Sequence, residues 1–172
     1  SYIVDNFDIE PNDVEVIYNP FDSERFYKGK KTIYGDDFIT LFVGTMDYLR
    51  KDSVFDLVDK CLNEGKLLHL VGRDDNGYAK SLSKKYKHVS YFEPTDNIEF
   101  HFHNCDETAG IMLGRTTIEG FLCGKPAIVY DVDKHGNIKS SEYLEVPEDL
   151  SIFDMNTIIN KIKKTYIDAY NS

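Results

Sequence analysis

Gly114-Arg115-Thr116-Thr117-Ile118-Glu119-Gly120-Phe121-Leu122-Cys123-Gly124-Lys125-Pro126-Ala127-Ile128-Val129 is the stretch whose reading decides the fold. The apolar run Ala109–Leu113 leads into it and predicts a strand. Glycine and hydroxyl residues then open a turn, and a short helix follows with one carboxylate in its first turn. Gly124 stops that helix, and Ala127–Tyr130 predicts a second, buried strand. Strand, tight turn, helix N-terminus, glycine stop and strand form the skeleton of a nucleotide-binding βαβ unit.

The same alternation continues on both sides of this stretch. Phe38–Val43 is a near-continuous apolar run bounded by Gly44, the pattern of a strand buried on both faces. Val54, Leu57, Val58, Cys61 and Leu62 form a helical stripe, with Asp52 or Ser53 as its cap and Gly65 as its stop. Leu67–Val71 predicts a strand ending at Gly72, and residues 77–86 predict a helix. Val89–Phe92 predicts a strand stopped by Glu93-Pro94, and Ile98–His103 a short helix. Beyond Tyr130, Asp131–Asn137 predicts a polar loop and Tyr143–Val146 an edge strand. Met155, Ile158, Ile159, Ile162, Tyr166 and Ile167 share one face of a last helix, capped by Asp154 or Asn156. The chain before Asp37 reads as irregular, apart from the alternating segment Val14–Tyr18 and the turn Asn19–Asp22. The expected fold class is α/β: an open, doubly wound parallel sheet of Rossmann-like type, with five or six strands and helices on both faces. No repeat or linker divides the chain, so a single domain is expected over residues 1–172.

At 172 residues and 41% apolar, with 12 Tyr and 11 Phe, the chain can bury a sizeable core. Its formal charge of −10 argues against a nucleic-acid backbone or an anionic membrane as main partner. A phosphate-bearing small molecule needs only a local positive site and is compatible with it. Cys61, Cys105 and Cys123 form no C-x-x-C pair and read as buried free thiols in a reducing compartment. No apolar run approaches the roughly 20 residues of a membrane span. The acidic start Ser1–Asp8 is unlike a signal peptide, so a cytoplasmic protein is expected, and the missing initiator Met reads as a processed or excised piece.

Ligands of such sheets bind at the carboxyl ends of the strands. Four ends are candidates: Gly44-Thr45, Gly72-Arg73, Phe92-Glu93-Pro94 and Leu113-Gly114-Arg115-Thr116. Arg115-Thr116-Thr117 begins a helix, where free N–H groups and the positive end of the dipole favour an anion. Glu119 has two readings: an acceptor for ribose hydroxyls, or the closing residue of a Thr116-x-x-Glu119 capping box. Arg50-Lys51 precedes a helix and reads either as a diphosphate clamp or as solvated loop charge. Asp131-Val132-Asp133 and the His101, His103, Cys105 group lack the context and spacing of a metal site, and none is expected. The Ser-hydrolase, P-loop and dinucleotide motifs are all missing.

Read as a whole, Gly114–Val129 resembles the donor-site segment of GT-B-fold glycosyltransferases of the group 1 (glycogen-synthase-like) family, roughly E-G-F-G-x-x-x-x-E-A-x-A-x-G-x-P-V-I. Val16–Phe26 is similar to the family's V-I-x-N-G-V-D-x-x-x-F, and Phe42–Lys51 to its F-V-G-R-L-D-x-x-K. Leu70–Arg73 and Val89–Phe92 fall at two further strand ends of the pattern. The resemblance implies the C-terminal, donor-binding half of a retaining glycosyltransferase. Residues 1–13 would then be the stub of an N-terminal acceptor domain outside this chain. It implies a nucleoside-diphosphate sugar as substrate and no separate cofactor. Glu119 would hold the ribose; Gly114, Arg115 and Thr116 would meet the diphosphate or sugar. Lys51 would pair with the diphosphate, the Phe92-Glu93-Pro94 turn would flank the base, and Gly44, Thr45, Arg50, Gly72 and Arg73 would complete the donor site. Two departures stand out: the family's first Glu falls at Ile111, and its Arg after the first Gly falls at Thr45. The alternatives are a non-catalytic binding or assembly module with a decayed donor site, and a GT-B-like sugar-nucleotide epimerase. Peripheral membrane contact by the full-length protein stays open.

Overall fold

The computed structural model describes residues 21, 22 and 24–171. The segment Val14–Tyr18, the turn at Asn19-Pro20 and the 1–13 stretch lie outside the described residues. The chain divides into two compact units, Asp22–Leu150 and a second that includes Phe21 and residues 151–171.

The first unit is built on one six-stranded sheet. Its strands are β1 (Ile39–Val43), β2 (Leu67–Val71), β3 (Val89–Phe92), β4 (Glu107–Ile111), β5 (Ala127–Val132) and β6 (Ile138–Leu144). They lie in the order β3-β2-β1-β4-β5-β6. Every pair is parallel except β5–β6, which is antiparallel. The expected doubly wound α/β sheet is therefore present, closed on one side by an antiparallel edge strand. The chain order reverses between β1 and β4, the switch point at which such sheets open a crevice.

Strand alternation separates two cores. Phe42, Leu68, Leu70, Ala109 and Tyr130 face helices α1 (Tyr48–Glu64) and α2 (Tyr78–Lys85), meeting Val54, Leu57, Val58, Cys61, Ala79 and Leu82. On the opposite side Ile39, Leu41 and Val71 pack with Phe102 of α3 (Ile98–Asn104), Cys105 and Cys123. Helix α4 (Arg115–Leu122) lies against β4 on that side, and Gly120 sets how closely. A Cβ there would lie 2.8 Å from both Cγ2 and Oγ1 of Thr108.

Several boundaries differ from expectation. Helix α1 starts before Asp52 and Ser53: Asp47 is its cap, accepting from the Arg50 amide at 3.2 Å. Arg50 and Lys51 are thus in the first helical turn rather than in a loop. None of the first-turn residues Tyr48–Lys51 belongs to the buried apolar stripe, which begins at Val54, while Gly65 ends the helix as predicted, at φ 68°. Strand β4 begins at Glu107 and ends at Ile111 instead of running over Ala109–Leu113, because Met112 turns the chain at φ 57°. Buried Glu107 is tolerated at its start because Thr40 Oγ1 and Lys66 Nζ donate to Oε1 at 2.6 and 3.0 Å. The supposed loop Asp131–Asn137 begins as strand; its turn is held by Asp133 Oδ1, which accepts from the His135 and Asn137 amides. The edge strand is β6, which begins ahead of the predicted Tyr143–Val146 and shares only Tyr143 and Leu144 with it.

In the second unit a short 3₁₀ turn (Ser151–Phe153) leads to helix α5 (Met155–Asn171). Asp154 caps it, accepting from the Asn156 and Thr157 amides at 2.9 and 3.1 Å. Ile158 is buried, and Phe153 meets Phe21 edge to face at 6.3 Å, while the rest of the predicted apolar face is exposed. No helix among the described residues is long and apolar enough to cross a membrane.

Candidate functional site

The crevice at the carboxyl ends of β1 and β2 contains a cavity of about 510 Å³, within the range of small-molecule sites. Its floor is Val43-Gly44-Thr45 and Val71-Gly72-Arg73. Pro94, Thr95 and Ile98 form one wall; Arg115, Thr116 and Glu119 of α4 form the other. A second recess of about 210 Å³, sharing Val43, Gly44, Arg115 and Thr116, reaches Arg50, Ile111 and Gly114.

The floor is shaped by contact between two backbones. Gly44 N–H donates to the Val71 carbonyl at 3.0 Å. A Cβ on Gly72 would sit 2.0 Å from the Gly44 carbonyl oxygen, and Gly72 has φ 140°. Only glycine fits that position, and its bare surface opens the crevice floor to a ligand. The wall opposite α4 is fixed from outside. Arg25 Nε donates to Glu99 Oε2 at 2.8 Å, and its guanidinium also donates to the Asp96 carbonyl. These bonds tie down the start of α3 next to Thr95 and Ile98.

Helix α4 presents an unneutralised N-terminus to the cavity. Gly114 is its N-cap, no side chain caps it, and its first turn carries no acidic residue. Its leading N–H groups and dipole end therefore favour an anion. Thr116 donates its hydroxyl to the Val43 carbonyl at 3.4 Å instead of capping the helix. The capping-box reading of Thr116 and Glu119 is excluded by this geometry. Glu119 Oε1 accepts from Arg115 Nε at 2.7 Å, with side chains 6% and 71% exposed, respectively. Burial pushes the Glu119 carboxyl above its usual range, and Arg115 opposes that shift.

Each arginine of the site already has a carboxylate. Arg50 pairs with Asp47 at 2.6 Å, Arg73 with Asp75 at 2.6 Å, and Arg115 with Glu119. These pairs keep three guanidinium groups at the crevice of an acidic chain. Anion binding there would redistribute existing charge.

Of the residues expected from sequence, Gly44, Thr45, Gly72, Arg73, Arg115, Thr116 and Glu119 line the main cavity, and Arg50 and Gly114 line the recess. Three line neither. Lys51 is exposed and lies over the Phe55 ring at 5.9 Å, one helical step away from Arg50. The Phe92 ring stacks edge-on between His69 and His101 at 5.1 and 4.9 Å. Glu93 pairs with Lys80 at 2.7 Å and accepts from Tyr91 at 3.0 Å. Val43, Val71, Thr95 and Ile98, and Arg25 behind the wall, were not anticipated. The two valines are the last residues of their strands, a usable signal; Ile98 and Arg25 depend on tertiary placement. Among the described residues, no group of three or more His, Cys, Asp or Glu is placed to hold a metal ion.

No family model matches the sequence, and no curated protein matches it. Solved structures do. The chain is similar to AviGT4, a glycosyltransferase involved in avilamycin A biosynthesis, at 18% identity over 69% of this chain and 39% of that one, TM-score 0.54. It is similar to Alr3699/HepE of Anabaena, solved in complex with UDP-glucose, at 20% identity over 88% of this chain and 48% of that one, TM-score 0.55. It is also similar to the lipopolysaccharide outer core galactosyltransferase WaaB in its apo form, at 18% identity over 90% and 48%, TM-score 0.54. The chain thus spans less than half the length of each of these proteins. At such identities the likeness is one of fold. Two of these three neighbours, AviGT4 and WaaB, are described as glycosyltransferases, the activity of the family the sequence motifs resemble.

Proposed function

We propose that this chain is the donor-binding half of a glycosyltransferase, and that the crevice holds a nucleoside-diphosphate sugar. One observation carries the reading: an uncapped helix N-terminus, an exposed arginine and a buried carboxylate converge on one cavity at the switch point of the sheet. The helix end and Arg115 suit a diphosphate, and Glu119 suits the hydroxyls of a ribose. Arg50, in the adjoining recess, takes the role the motif gave to Lys51. Complexes of a fold neighbour with UDP-glucose, and with UDP and glucose, support this assignment of ligand class.

In transfer, the bond from the sugar's anomeric carbon to the diphosphate oxygen breaks, and charge builds on the leaving nucleoside diphosphate. Donors placed at that oxygen stabilise it most where water is excluded. On this reading the α4 N-terminus and Arg115 supply those donors. The acceptor would be held by a domain outside this chain, consistent with its share of the neighbours' length. Three buried free cysteines support a reducing, cytoplasmic setting.

Calorimetry with UDP, GDP, ADP and CDP tests the assignment. One of them is expected to bind, and Glu119→Gln is expected to weaken it about tenfold, the value of a charged hydrogen bond. The same variant should melt no lower than the parent, because a desolvated carboxylate is removed. Failure of all four ligands at millimolar concentration would sink the donor-site reading. A Glu119→Gln protein with unchanged affinity would remove the ribose role alone.

A further inference from the structure

Arg115 is placed against the preferences of its own helix. It is the first residue of α4, where a cation opposes the dipole, and it stands four residues before Glu119, the weaker order for an ion pair. Helix stability therefore does not explain it. It contacts Glu119 through Nε, its side chain is largely exposed, and it lines both the cavity and the adjoining recess. The carboxylate it holds forms part of the cavity wall.

We propose that Arg115 is a two-position cation that makes the site select for a diphosphate. In the empty site it neutralises Glu119 and obstructs Oε1. When a diphosphate reaches the α4 N-terminus, the guanidinium turns to it, and both Glu119 oxygens become available to the ribose diol. Nucleosides bring no charge to draw Arg115 away, so they must compete with it for the carboxylate. Diphosphates remove that competitor as they bind. Discrimination between a nucleoside and its diphosphate then arises at one side chain, through a penalty on the wrong ligand as well as a contact to the right one.

The inference rests on the donor-site reading, and its test separates the two. The 172-residue chain, Arg115→Ala and Arg115→Gln are titrated by calorimetry and NMR with uridine and UDP, and with the guanosine, adenosine and cytidine pairs. For the base that binds, both variants should lose about tenfold or more in diphosphate affinity and gain several-fold in nucleoside affinity. The exposed position of Arg115 makes loss of the fold on substitution unexpected, and circular dichroism checks it; the glutamine variant retains much of the side-chain stem. Nucleoside affinity that stays level or falls in the folded variants overturns the two-position role and leaves the donor site standing. Binding of no diphosphate by the parent chain overturns both.

Discussion

His69 stands in the middle of β2 with its ring 4.9 Å from Tyr34 and 5.1 Å from Phe92. Burial first, then the nearness of His101 and Lys31, lowers its pKa from 6.5 to about 4. In the fold the imidazole stays neutral down to that pH, whereas in the unfolded chain it takes a proton near 6.5. Between those values the unfolded state holds more protons, so stability rises with pH through the window. The contribution is fully present above 6.5 and is lost as pH falls through 4, amounting to roughly 3 kcal/mol at the acid end. Burial also lowers the pKa of His101, which acts in the same direction. Replacing His69 with Phe removes the proton site and keeps a ring in place. Urea denaturation at pH 7 and pH 4 should show the difference between parent and variant shifting by roughly 3 kcal/mol in favour of the variant. A difference that does not change with pH would show that His69 is not what makes the fold acid-sensitive.

Helix α4 is held to β4 at a distance set by one missing methyl group. Alanine at Gly120 would gain about 1 kcal/mol of helix propensity. Its Cβ, however, would meet Thr108 at 2.8 Å in a fully buried layer, an overpacking worth about 1–3 kcal/mol. Gly120→Ala should therefore destabilise, and Thr108→Ala alone should leave a gap. Together they should cost less than their sum by about 1 kcal/mol, read from a double-mutant cycle in denaturant; additive effects would place the limit elsewhere. The same element shows what the sequence could reveal. The Gly-rich opening, Gly124 stop and following strand were visible because turn chemistry and apolar runs are local. The early start of β4 is hidden because Glu107 looks polar until Lys66 and Thr40 are in place, and Thr108 until the Pro126 carbonyl is. β6 was misplaced because its residues are almost all exposed, so its pairing with β5 leaves no apolar pattern. In the candidate site, Arg50 and Lys51 were inseparable by sequence. A helix turns about 100° per residue, so one faces the recess and the other the Phe55 ring. Phe92 lines neither cavity nor recess for the matching reason in strands: its side chain faces His69 and His101.

At the scale of the molecule, the sheet, both apolar clusters and the whole lining of the cavity belong to Asp22–Leu150. Free energy of binding a ligand in that cavity and folding free energy for its walls therefore reside in the same unit. A ligand that binds only the folded state stabilises it by about 2.7 kcal/mol at one hundred times its dissociation constant, or several degrees in melting temperature for a domain of this size. Residues 22–150 expressed alone should fold cooperatively and bind the diphosphate favoured by the 172-residue chain with the same affinity within about twofold, since every lining residue is retained. They should also show the same ligand-induced rise in melting temperature at equal saturation. The comparison needs both measurements. A fragment that folds but binds tenfold more weakly would place part of the nucleotide site in the second unit. One that fails to fold would make that unit part of the folding core. Equal affinity and an equal thermal shift would show that donor recognition is complete within one doubly wound sheet.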